Sequence, residues 1–162
     1  TNICYYNKTR KRINKLCNEF IAQNNDFLEI KYTATWKRGK PDKYPQSCKI
    51  YKNCPVICRI NRENCVNNEN FTIDDFNDET IKLHSIRSVE GEKIKNEIKI
   101  KTKEFHNMFL LGHCITAHKA QSETIDKKIN IFNYSCMQDW RIRYTALSRA
   151  TLKANINIIV GF

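Results

Sequence analysis

The sequence predicts an α/β protein in which a mostly parallel sheet, with helices packed on it, is interrupted by a small all-β segment. Strand-like and helix-like stretches alternate within residues 1–50 and 104–162, as in sheets built from strand–helix–strand units. The run "MFLLGHCITA" (108–117) is almost continuously apolar, as expected for a strand covered on both faces. Residues 51–103 carry short β-prone runs instead. We therefore predict one discontinuous domain, 1–50 and 104–162, with an insert at 51–103.

The N-terminal stretch predicts a strand, a helix and a second strand. "NICYY" (2–6) is β-prone, and after a turn the apolar residues recur with the spacing of one helix face. This predicted stripe consists of Ile13, Leu16, Cys17, Phe20 and Ile21. "DFLEIKYTA" (26–34) then predicts a strand with Phe27, Ile30 and Tyr32 available to bury. The Gly-, Pro- and Lys-rich stretch "TWKRGKPDKYPQ" marks a candidate boundary.

Four β-prone runs make up the predicted insert. They are "PVICRI", "NFTIDDF", "TIKLHSI" and "NEIKIKT", and polar turn segments separate them. In the third run Ile81 and Leu83 alternate with polar residues and therefore face the same side of a strand. Several short strands joined by turns predict a small barrel or a twisted antiparallel sheet.

After the apolar run, the chain predicts a strand, a helix and a last strand. In "KINIFNY" (128–134), Ile129 and Ile131 alternate with polar neighbours. "MQDWRIRYTALSRAT" has the spacing of a helix, and "ANINIIVGF" predicts a terminal strand. The apolar face of the predicted helix consists of Trp140, Tyr144 and Leu147.

The composition is strongly basic. Lys and Arg number 28 against 17 Asp and Glu, which gives a formal net charge of +11. Such a balance favours a polyanionic partner, which can be nucleic acid, nucleotide phosphates or an anionic membrane. No apolar run approaches the roughly 20 residues of a membrane span, and the first residues lack an apolar segment of signal-peptide length. We expect a soluble intracellular chain with no membrane partner, which can be part of a longer polypeptide.

Eight cysteines are scattered along the chain without a secretory signal, which favours free thiols. Four of them, Cys48, Cys54, Cys58 and Cys65, could be interpreted as a zinc site. They lack the paired short spacings of zinc ribbons, and Cys54 and Cys58 flank an apparent strand. Buried thiols are therefore the favoured interpretation, and we predict no metal site.

Three segments of the predicted α/β domain carry residues suited to binding and catalysis. "NKTRKRIN" (7–14) crowds basic residues into the first turn of a helix, which suits a bound anion or a solvated basic face. "ITAHKAQSET" (115–124) runs from a buried strand into a polar turn, the place where α/β sheets bind ligands. The candidates in this turn are Thr116, His118, Lys119, Gln121 and Ser122. "YTALSRAT" (144–151) ends a helix with Arg149 among residues too small to cover it.

Taken in order, "NKTRKRIN", "TAHKAQSETID" and "YTALSRA" resemble motifs IV, V and VI of superfamily-one helicases of the RecD-like branch. The pattern T-x-H-K-[AS]-Q followed by Y-x-A-[LI]-[ST]-R-A is the specific part of this resemblance. In that family the motifs lie on the second of two RecA-like motor domains, a mostly parallel sheet with helices on both faces. A small SH3-like β-barrel is inserted between motifs IV and V, which is the interval of the predicted insert.

The resemblance implies roles for individual residues. Arg149 matches the motif VI arginine that reaches the γ-phosphate of ATP, where a planar, permanently charged guanidinium suits a transition state with spread negative charge. Arg10 is the candidate for the motif IV basic residue near the same phosphates. Gln121 and Thr124, together with Arg149, are implied in nucleotide binding. Contacts to single-stranded DNA are implied for Thr116, His118, Lys119, Ser122 and Lys8. Relatives usually have Gly where Ser122 stands.

One motif of a complete motor is missing from this sequence. The chain has 4 glycines and no G-x-x-x-x-G-K-[ST] phosphate loop, so it lacks the cradle for the phosphates of ATP and the hydroxyl that holds Mg²⁺. We therefore predict that ATP and Mg²⁺ are bound mainly by an N-terminal RecA-like domain of the same polypeptide. The present chain alone is predicted to be inactive as an ATPase.

The leading hypothesis is the C-terminal motor half of an ATP-dependent DNA helicase. The resemblance implies 5′→3′ movement on single-stranded DNA or at a DNA fork, and we expect a monomer. The alternative is a non-catalytic single-stranded nucleic-acid-binding module, which the charge and the insert also fit. The Asn, Lys and Ile content and the motif wording point to a large DNA virus, which implies the nucleus or a cytoplasmic viral replication site.

Overall fold

The structure, a computed structural model, describes residues 1–33, 36–37, 40–42, 44–89, 92–121 and 124–160. The chain divides into two compact units. The first unit contains Thr1–Leu16 and His113–Phe162, and the second contains Cys17–Gly112. The second unit is wider than the predicted insert of 51–103. Ile30 and Ile50 before the insert's main strands, and Phe109 after them, share one buried core with Phe71.

Thirteen strands and three α-helices follow one another along the described chain. In order they are β1 (Asn2–Cys4), α1 (Asn7–Ala22), β2 (Phe27–Ile30), β3 (Trp36–Lys37), β4 (Lys40–Pro41), β5 (Cys48–Tyr51), β6 (Pro55–Cys58), β7 (Asn70–Phe76), β8 (Thr80–Val89), β9 (Glu92–Lys101), α2 (Phe105–Met108), β10 (Phe109–Leu111), β11 (Cys114–Thr116), β12 (Ile129–Phe132), α3 (Trp140–Leu147) and β13 (Ile156–Ile159). Among the described residues, none of these helices combines the length and apolar character that a membrane span needs.

The first unit is built on a parallel four-stranded sheet. The strand order is β11–β1–β12–β13, and each neighbouring pair is parallel. Ile3 in β1 and Ile129 and Ile131 in β12 are fully buried, because both strands have a neighbour on each side. The predicted α/β fold with a mostly parallel sheet is therefore confirmed.

The second unit contains an antiparallel sheet in the order β10–β6–β7–β8–β9. The four predicted runs of the insert are strands β6 to β9, and Ile81 and Leu83 are buried on the inner face as predicted. β8 and β9 pair along ten residues each and form the longest ribbon of the sheet. The closure of this sheet into an SH3-like barrel stays a prediction.

The predicted strand at 26–34 is shorter than expected and pairs differently. It covers Phe27–Ile30 and is antiparallel to β5 in a two-stranded sheet, instead of joining the parallel sheet. Ile30 is buried as predicted, whereas Phe27 is exposed, since this strand buries only one face. Most of the stretch "TWKRGKPDKYPQ" that follows lies outside the described residues or has side chains that the structure does not describe.

The prediction of one continuous strand over 108–117 is wrong. The run contains β10, which pairs antiparallel with β6 in the second unit, and β11, which pairs parallel with β1 in the first. Both pieces are buried, so the run is apolar throughout although it serves two sheets. Gly112 ends the first piece and donates its amide to the carbonyl of Pro55 at 2.8 Å. A Cβ at this position would lie 3.1 Å from the Pro55 backbone, which explains why glycine stands there.

The buried face of α1 agrees with the predicted stripe only in part: Ile13 is buried as predicted, and Cys17 and Ile21 are half-buried. Leu16 and Phe20 are 51% and 70% exposed, whereas Asn14 and Asn18 are buried. Both asparagines satisfy the backbone of a strand. The Asn14 side chain accepts from the Cys114 amide at 3.0 Å and donates to the Cys114 carbonyl at 2.8 Å. Asn18 makes the same pair of bonds to Lys49, at 2.9 and 2.7 Å. A polar face is therefore buried because it completes strand hydrogen bonding.

The predicted apolar face of α3 is also exposed. Trp140 and Tyr144 are 69% and 65% exposed, and the helix buries Ala146 instead. The helix itself is predicted correctly and begins at Asp139, whose side chain accepts from the Arg141 amide at 2.8 Å. A small residue on the buried side lets the helix backbone approach its neighbours closely.

The cysteines are free thiols, and six of the eight are buried. Burial raises the pKa of the Cys54 thiol to about 12 and that of Cys65 to about 11, so both are neutral at physiological pH. Within the described ranges, no group of three or more His, Cys, Asp or Glu side chains is arranged to hold a metal ion.

His113 gives the first unit a predicted sensitivity to acid. Burial lowers the pKa of its imidazole to about 4, whereas a histidine of the unfolded chain titrates near 6.5. Below about pH 6.5 the unfolded chain binds a proton that the folded chain excludes, so stability is present above that pH and is lost as the pH falls toward 4. We expect this single group to lower the free energy of unfolding by about 2 to 3 kcal/mol between pH 7 and 4.5.

Thermal unfolding measured across this pH range checks the effect. His113→Gln is expected to flatten the pH dependence. Equal pH dependence in wild type and His113→Gln would contradict the assignment.

Candidate functional site

The carboxyl ends of the parallel strands lie at one edge of the first unit's sheet. β1 ends before Tyr5 and Tyr6, its neighbour β11 ends before Ala117 and His118, and its other neighbour β12 ends before a turn at 133–136. Ligands of parallel α/β sheets bind at this edge, because the connecting loops that begin there can be polar and open. The residues that follow these three strands therefore form the first candidate region.

Tyr5 and His118 connect the ends of β1 and β11. Their rings are stacked, with centroids 6.1 Å apart and planes inclined by 25°. The Ala117 amide donates to the Cys4 carbonyl at 2.8 Å, which continues the strand pairing up to this stack. Tyr6 packs against Tyr5 at 4.8 Å, and both Tyr6 and His118 are exposed. The predicted site residue His118 is thus held by an aromatic neighbour and remains accessible.

The end of β12 adds a fourth aromatic ring to this edge. Asn133 adopts the left-handed conformation with φ 59°, and a short helical turn follows. In this turn Tyr134 lies under the guanidinium of Arg143, which is 5.4 Å from the ring centroid and donates to the Met137 carbonyl at 2.5 Å. β1 and β12 pair up to Cys4 and Phe132, so their ends lie side by side, and the neighbouring Cys136 thiol raises the pKa of Tyr6. We call Tyr5, Tyr6, His118 and Tyr134 the aromatic edge.

The remaining predicted residues of the 115–124 segment differ in exposure. Thr116 is buried, and its carbonyl accepts from the amides of Lys119 and Ala120 at 2.9 and 3.0 Å, which turns the chain tightly after β11. Lys119 is half-buried and Gln121 is exposed. Ser122 lies outside the described residues. The structure therefore brings His118 and Lys119 to the aromatic edge and leaves Thr116 as a supporting residue.

The two basic residues predicted at the start of α1 are placed differently from each other. The helix begins directly after the aromatic edge, and its first turn contains no acidic residue. Lys8 is exposed there, whereas Arg10 is only 3% exposed and its Nε donates to the Asn7 side chain at 3.3 Å. Lys8 can therefore meet an external anion, but Arg10 is enclosed by protein in this state.

Arg149 lies at the other end of the sheet. Its carbonyl accepts from the Ile125 amide at 2.8 Å, and Ile125 and Ala150 form a parallel bridge just before β12 and β13 begin. The backbone of Arg149 is therefore near the amino ends of these strands. Its Nε donates to the Thr145 carbonyl at 3.1 Å, and a terminal nitrogen donates to the Ser148 hydroxyl at 2.9 Å.

Thr124, a predicted nucleotide-binding residue, directly precedes the backbone contact between Ile125 and Arg149. It is exposed and directly precedes Ile125, whose amide and carbonyl both bond to the segment around Arg149. The guanidinium is partly exposed at a helix end. A planar, charged guanidinium suits a phosphate oxygen presented from outside the chain.

Sequence reasoning missed most of the aromatic edge. Tyr5 and Tyr6 were assigned to the first strand, although the strand ends at Cys4. Placing them after the strand would have applied to β1 the same rule that selected His118 after β11. Tyr134 and Arg143 carry no comparable signal, because their contact depends on the left-handed turn at Asn133.

Comparisons with known proteins give similarity at the level of structure. No protein-family model and no curated protein matches this chain. Solved structures of the Pif1 helicase of Bacteroides do match. The crystal structure of Bacteroides Pif1 bound to ssDNA is similar with a TM-score of 0.63 at 18% identity, over 97% of this chain and 39% of that chain. The complex of Bacteroides Pif1 helicase with ADP-AlF3 and ssDNA has a TM-score of 0.61 at 18% identity, over 99% and 40%.

A third similar structure describes DNA unwinding at forked dsDNA by two coordinating Pif1 helicases, with a TM-score of 0.64 over 97% of this chain and 38% of that one. The present chain thus spans about two fifths of the length of these neighbours. At 18% identity the likeness shows the fold, which is that of a RecA-like helicase domain with a parallel sheet. This confirms the fold class predicted from the sequence.

Proposed function

We propose that this chain is the C-terminal motor half of an ATP-dependent DNA helicase. Three lines support the proposal: the order of the three motifs in the sequence, the RecA-like fold shared with Pif1 structures, and the separation of two candidate sites on one sheet. The aromatic edge takes the single strand, and Arg149 reaches a nucleotide held by a neighbouring domain. The RecD-like branch, 5′→3′ movement, a monomeric state and a viral source belong to the same proposal.

One observation carries this assignment. The segment between β11 and β12 contacts the aromatic edge at its start, through the stack of His118 on Tyr5, and contacts the Arg149 turn at its end, through Ile125. A displacement of the strand-binding end can therefore pass along a short piece of chain to the arginine. A motor requires this kind of connection, because strand movement and phosphate chemistry must depend on each other.

The aromatic edge fits a single strand of nucleic acid. Exposed rings can stack on unpaired bases whatever their sequence, and the neighbouring Lys8 and Lys119 can meet the phosphates. The net charge of +11 adds a general attraction for a polyanion. The DNA-bound neighbours have the same fold in this region, which supports DNA as the ligand.

The nucleotide end fits a supporting role in hydrolysis. Arg149 offers a permanently charged fork that can approach a γ-phosphate and stabilise the negative charge that spreads over its oxygens during transfer. Thr124 can orient the same phosphate by a hydrogen bond. Mg²⁺, when bound, neutralises charge between the phosphates, but the described residues offer no cluster of ligands for it. We therefore assign the phosphate loop and the metal ligands to an N-terminal RecA-like domain of the same polypeptide.

The second candidate function is a single-strand-binding module without motor activity, which the aromatic edge and the charge would also serve. ATP hydrolysis separates the two. In a polypeptide that joins this chain to its phosphate-loop domain, the motor proposal expects hydrolysis that single-stranded DNA stimulates. The isolated chain is expected to bind the strand without hydrolysing ATP.

His118→Ala tests the proposed site in that polypeptide. Loss of one stacking ring is expected to weaken single-strand binding by about 1 to 3 kcal/mol and to raise the DNA concentration that gives half-maximal stimulation correspondingly. Trp140→Ala, which removes an equally exposed ring from α3, is the matched control and should change neither value. Binding is measured by fluorescence anisotropy and hydrolysis by phosphate release. If single-stranded DNA did not stimulate ATP hydrolysis, the motor proposal would be refuted and the single-strand-binding module would remain.

A further inference from the structure

The outer face of the β8–β9 ribbon carries a row of lysines. Strand pairing places Lys82 directly opposite Lys99, with Lys101 two residues further along β9 and Lys93 and Lys95 toward its start. All five are exposed, whereas Ile81, Leu83 and Ile100 on the opposite face are buried in the core of the second unit. We call Lys82, Lys93, Lys95, Lys99 and Lys101 the lysine row.

The charge of this face is only partly balanced within the protein. Lys82 lies 3.5 Å from Asp75, and Lys95 lies near Glu97 and Asp74 at 2.5 and 3.9 Å. Lys93, Lys99 and Lys101 make no side-chain ion pair with any described residue. Two like charges directly opposite each other destabilise an antiparallel ribbon; Asp75 offsets part of this effect at Lys82, whereas no described carboxylate forms an ion pair with Lys99.

Protection of a sheet edge accounts for only part of the pattern. β9 is an edge strand of its sheet, and lysines on edge strands discourage pairing with other chains. β8 is an inner strand, with β7 and β9 on its two sides, so Lys82 protects no edge. The cross-strand pair that it forms with Lys99 therefore calls for another explanation.

The geometry points to the phosphate backbone of a nucleic-acid duplex as the ligand of this face, and we propose the lysine row as its binding surface. Alternate residues of a strand place their side chains on one face at about 7 Å intervals, so the row from Lys93 to Lys101 extends over about 27 Å. Phosphates of one duplex strand follow the axis at about 3.4 Å intervals. Glu97 stands on the same face in the middle of the row, so β9 presents two pairs of lysines, one on each side of it, and each pair can meet phosphates of a stiff, regular duplex.

The chemistry of the face favours a duplex over a single strand. No Tyr, Trp or Phe occurs in β8 or β9, and the one imidazole of this face, that of His84, is held at 2.7 Å by Asp74. Single-strand sites combine basic residues with stacking rings, as the aromatic edge of the first unit does. Lysines without neighbouring aromatic rings can contact only the phosphate backbone of the nucleic acid. Such contacts position the ligand but do not distinguish between sequences.

This inference rests on the proposed function, since it assigns the duplex arm of a fork to the second unit and the single strand to the first. It adds a surface that the helicase motifs do not include. Because both units belong to one chain, the two ligands can be tested separately on the same protein.

The test compares the binding of a short blunt DNA duplex and of a single strand of the same sequence at several salt concentrations. The triple variant Lys93→Gln, Lys99→Gln, Lys101→Gln removes the lysines without ion pairs. Each neutralised phosphate contributes about 0.9 to the slope of log affinity against log salt. We therefore expect the duplex slope to fall by about 2.7 and the duplex affinity to fall at least tenfold at about 100 mM salt, with single-strand affinity nearly unchanged.

A triple variant with the same loss of charge serves as the control. Lys31→Gln, Lys52→Gln, Lys103→Gln changes three exposed lysines of the same unit outside the row. Equal loss of duplex binding in both variants, an unchanged slope in the row variant, or an equal loss of single-strand binding overturns the inference. None of these outcomes bears on the motor proposal, which DNA-stimulated ATP hydrolysis tests separately. Conversely, a row-dependent duplex slope without such hydrolysis supports this surface and refutes the motor.

Discussion

Replacing Arg149 by alanine is expected to lower ATP turnover by about three orders of magnitude in the polypeptide that joins this chain to its phosphate-loop domain. The guanidinium is a permanently charged, partly exposed group in the turn after α3. Its contribution is made to the charge of the transition state, so the loss appears in the turnover number rather than in ATP affinity. Single-strand binding should remain close to wild type, because the aromatic edge lies at the opposite end of the sheet.

Two further variants separate this role from general effects of charge. Arg141→Ala removes an exposed arginine of the preceding helix α3, whose guanidinium lies 5.9 Å from the Trp140 ring, and should leave turnover unchanged. Arg149→Lys keeps the charge but loses the planar fork, so most of the defect should remain. Steady-state hydrolysis at saturating single-stranded DNA measures all three. Normal turnover in Arg149→Ala would refute the arginine-finger assignment.

The strands of the parallel sheet could be predicted because the local sequence pattern shows which of their residues are buried. Ile129 and Ile131 alternate with polar neighbours in β12, and both are fully buried. Ile81 and Leu83 in β8 also alternate with polar residues and are buried, so the strands of the insert could be predicted in the same way. The periodicity of apolar residues indicates which residues are buried. It does not report which sheet covers them, and for this reason the run 108–117 appeared as one strand although Gly112 divides it between two sheets.

Helix faces were less predictable, because apolar periodicity assumes that apolar residues are the ones buried. In α1 the covered positions include Asn14 and Asn18, whose amides replace missing strand partners, and Leu16 and Phe20 are left exposed. Burying asparagine is favourable only because the edge of a strand lies beside the helix. The sequence of the helix does not show where that edge lies.

The candidate site was predictable where it follows from motif order and less so where it depends on three-dimensional placement. His118 lies at the carboxyl end of β11, as the rule for parallel sheets requires. The place of Arg149 near the amino ends of β12 and β13 follows from the direction in which α3 returns to the start of β13, which a linear motif does not encode. The burial of Arg10 likewise depends on the packing of α1.

Asn14→Ala is expected to destabilise the first unit by about 2 to 4 kcal/mol, although alanine favours the helix itself. β11 is the edge strand of the parallel sheet among the described strands, with β1 as its neighbour. Its Cys114 amide and carbonyl are buried and are satisfied by the two bonds from the Asn14 side chain. Truncation leaves a donor and an acceptor without these bonds in a site closed to water, which costs more than the bonds themselves contribute.

Urea unfolding followed by circular dichroism measures the loss, and hydrogen exchange at the Cys114 amide locates it. Asn24→Ala changes an exposed asparagine just beyond the end of the same helix and should alter stability only slightly. Asn14→Asp is a sharper probe, because a carboxylate can accept from the Cys114 amide but cannot donate to its carbonyl. Protection of that amide should then survive while overall stability falls.

Since β11 leads directly into Thr116 and His118, loss of its anchor should also weaken single-strand binding at the aromatic edge. Wild-type stability and wild-type Cys114 protection in Asn14→Ala would show that the strand needs no support from the helix.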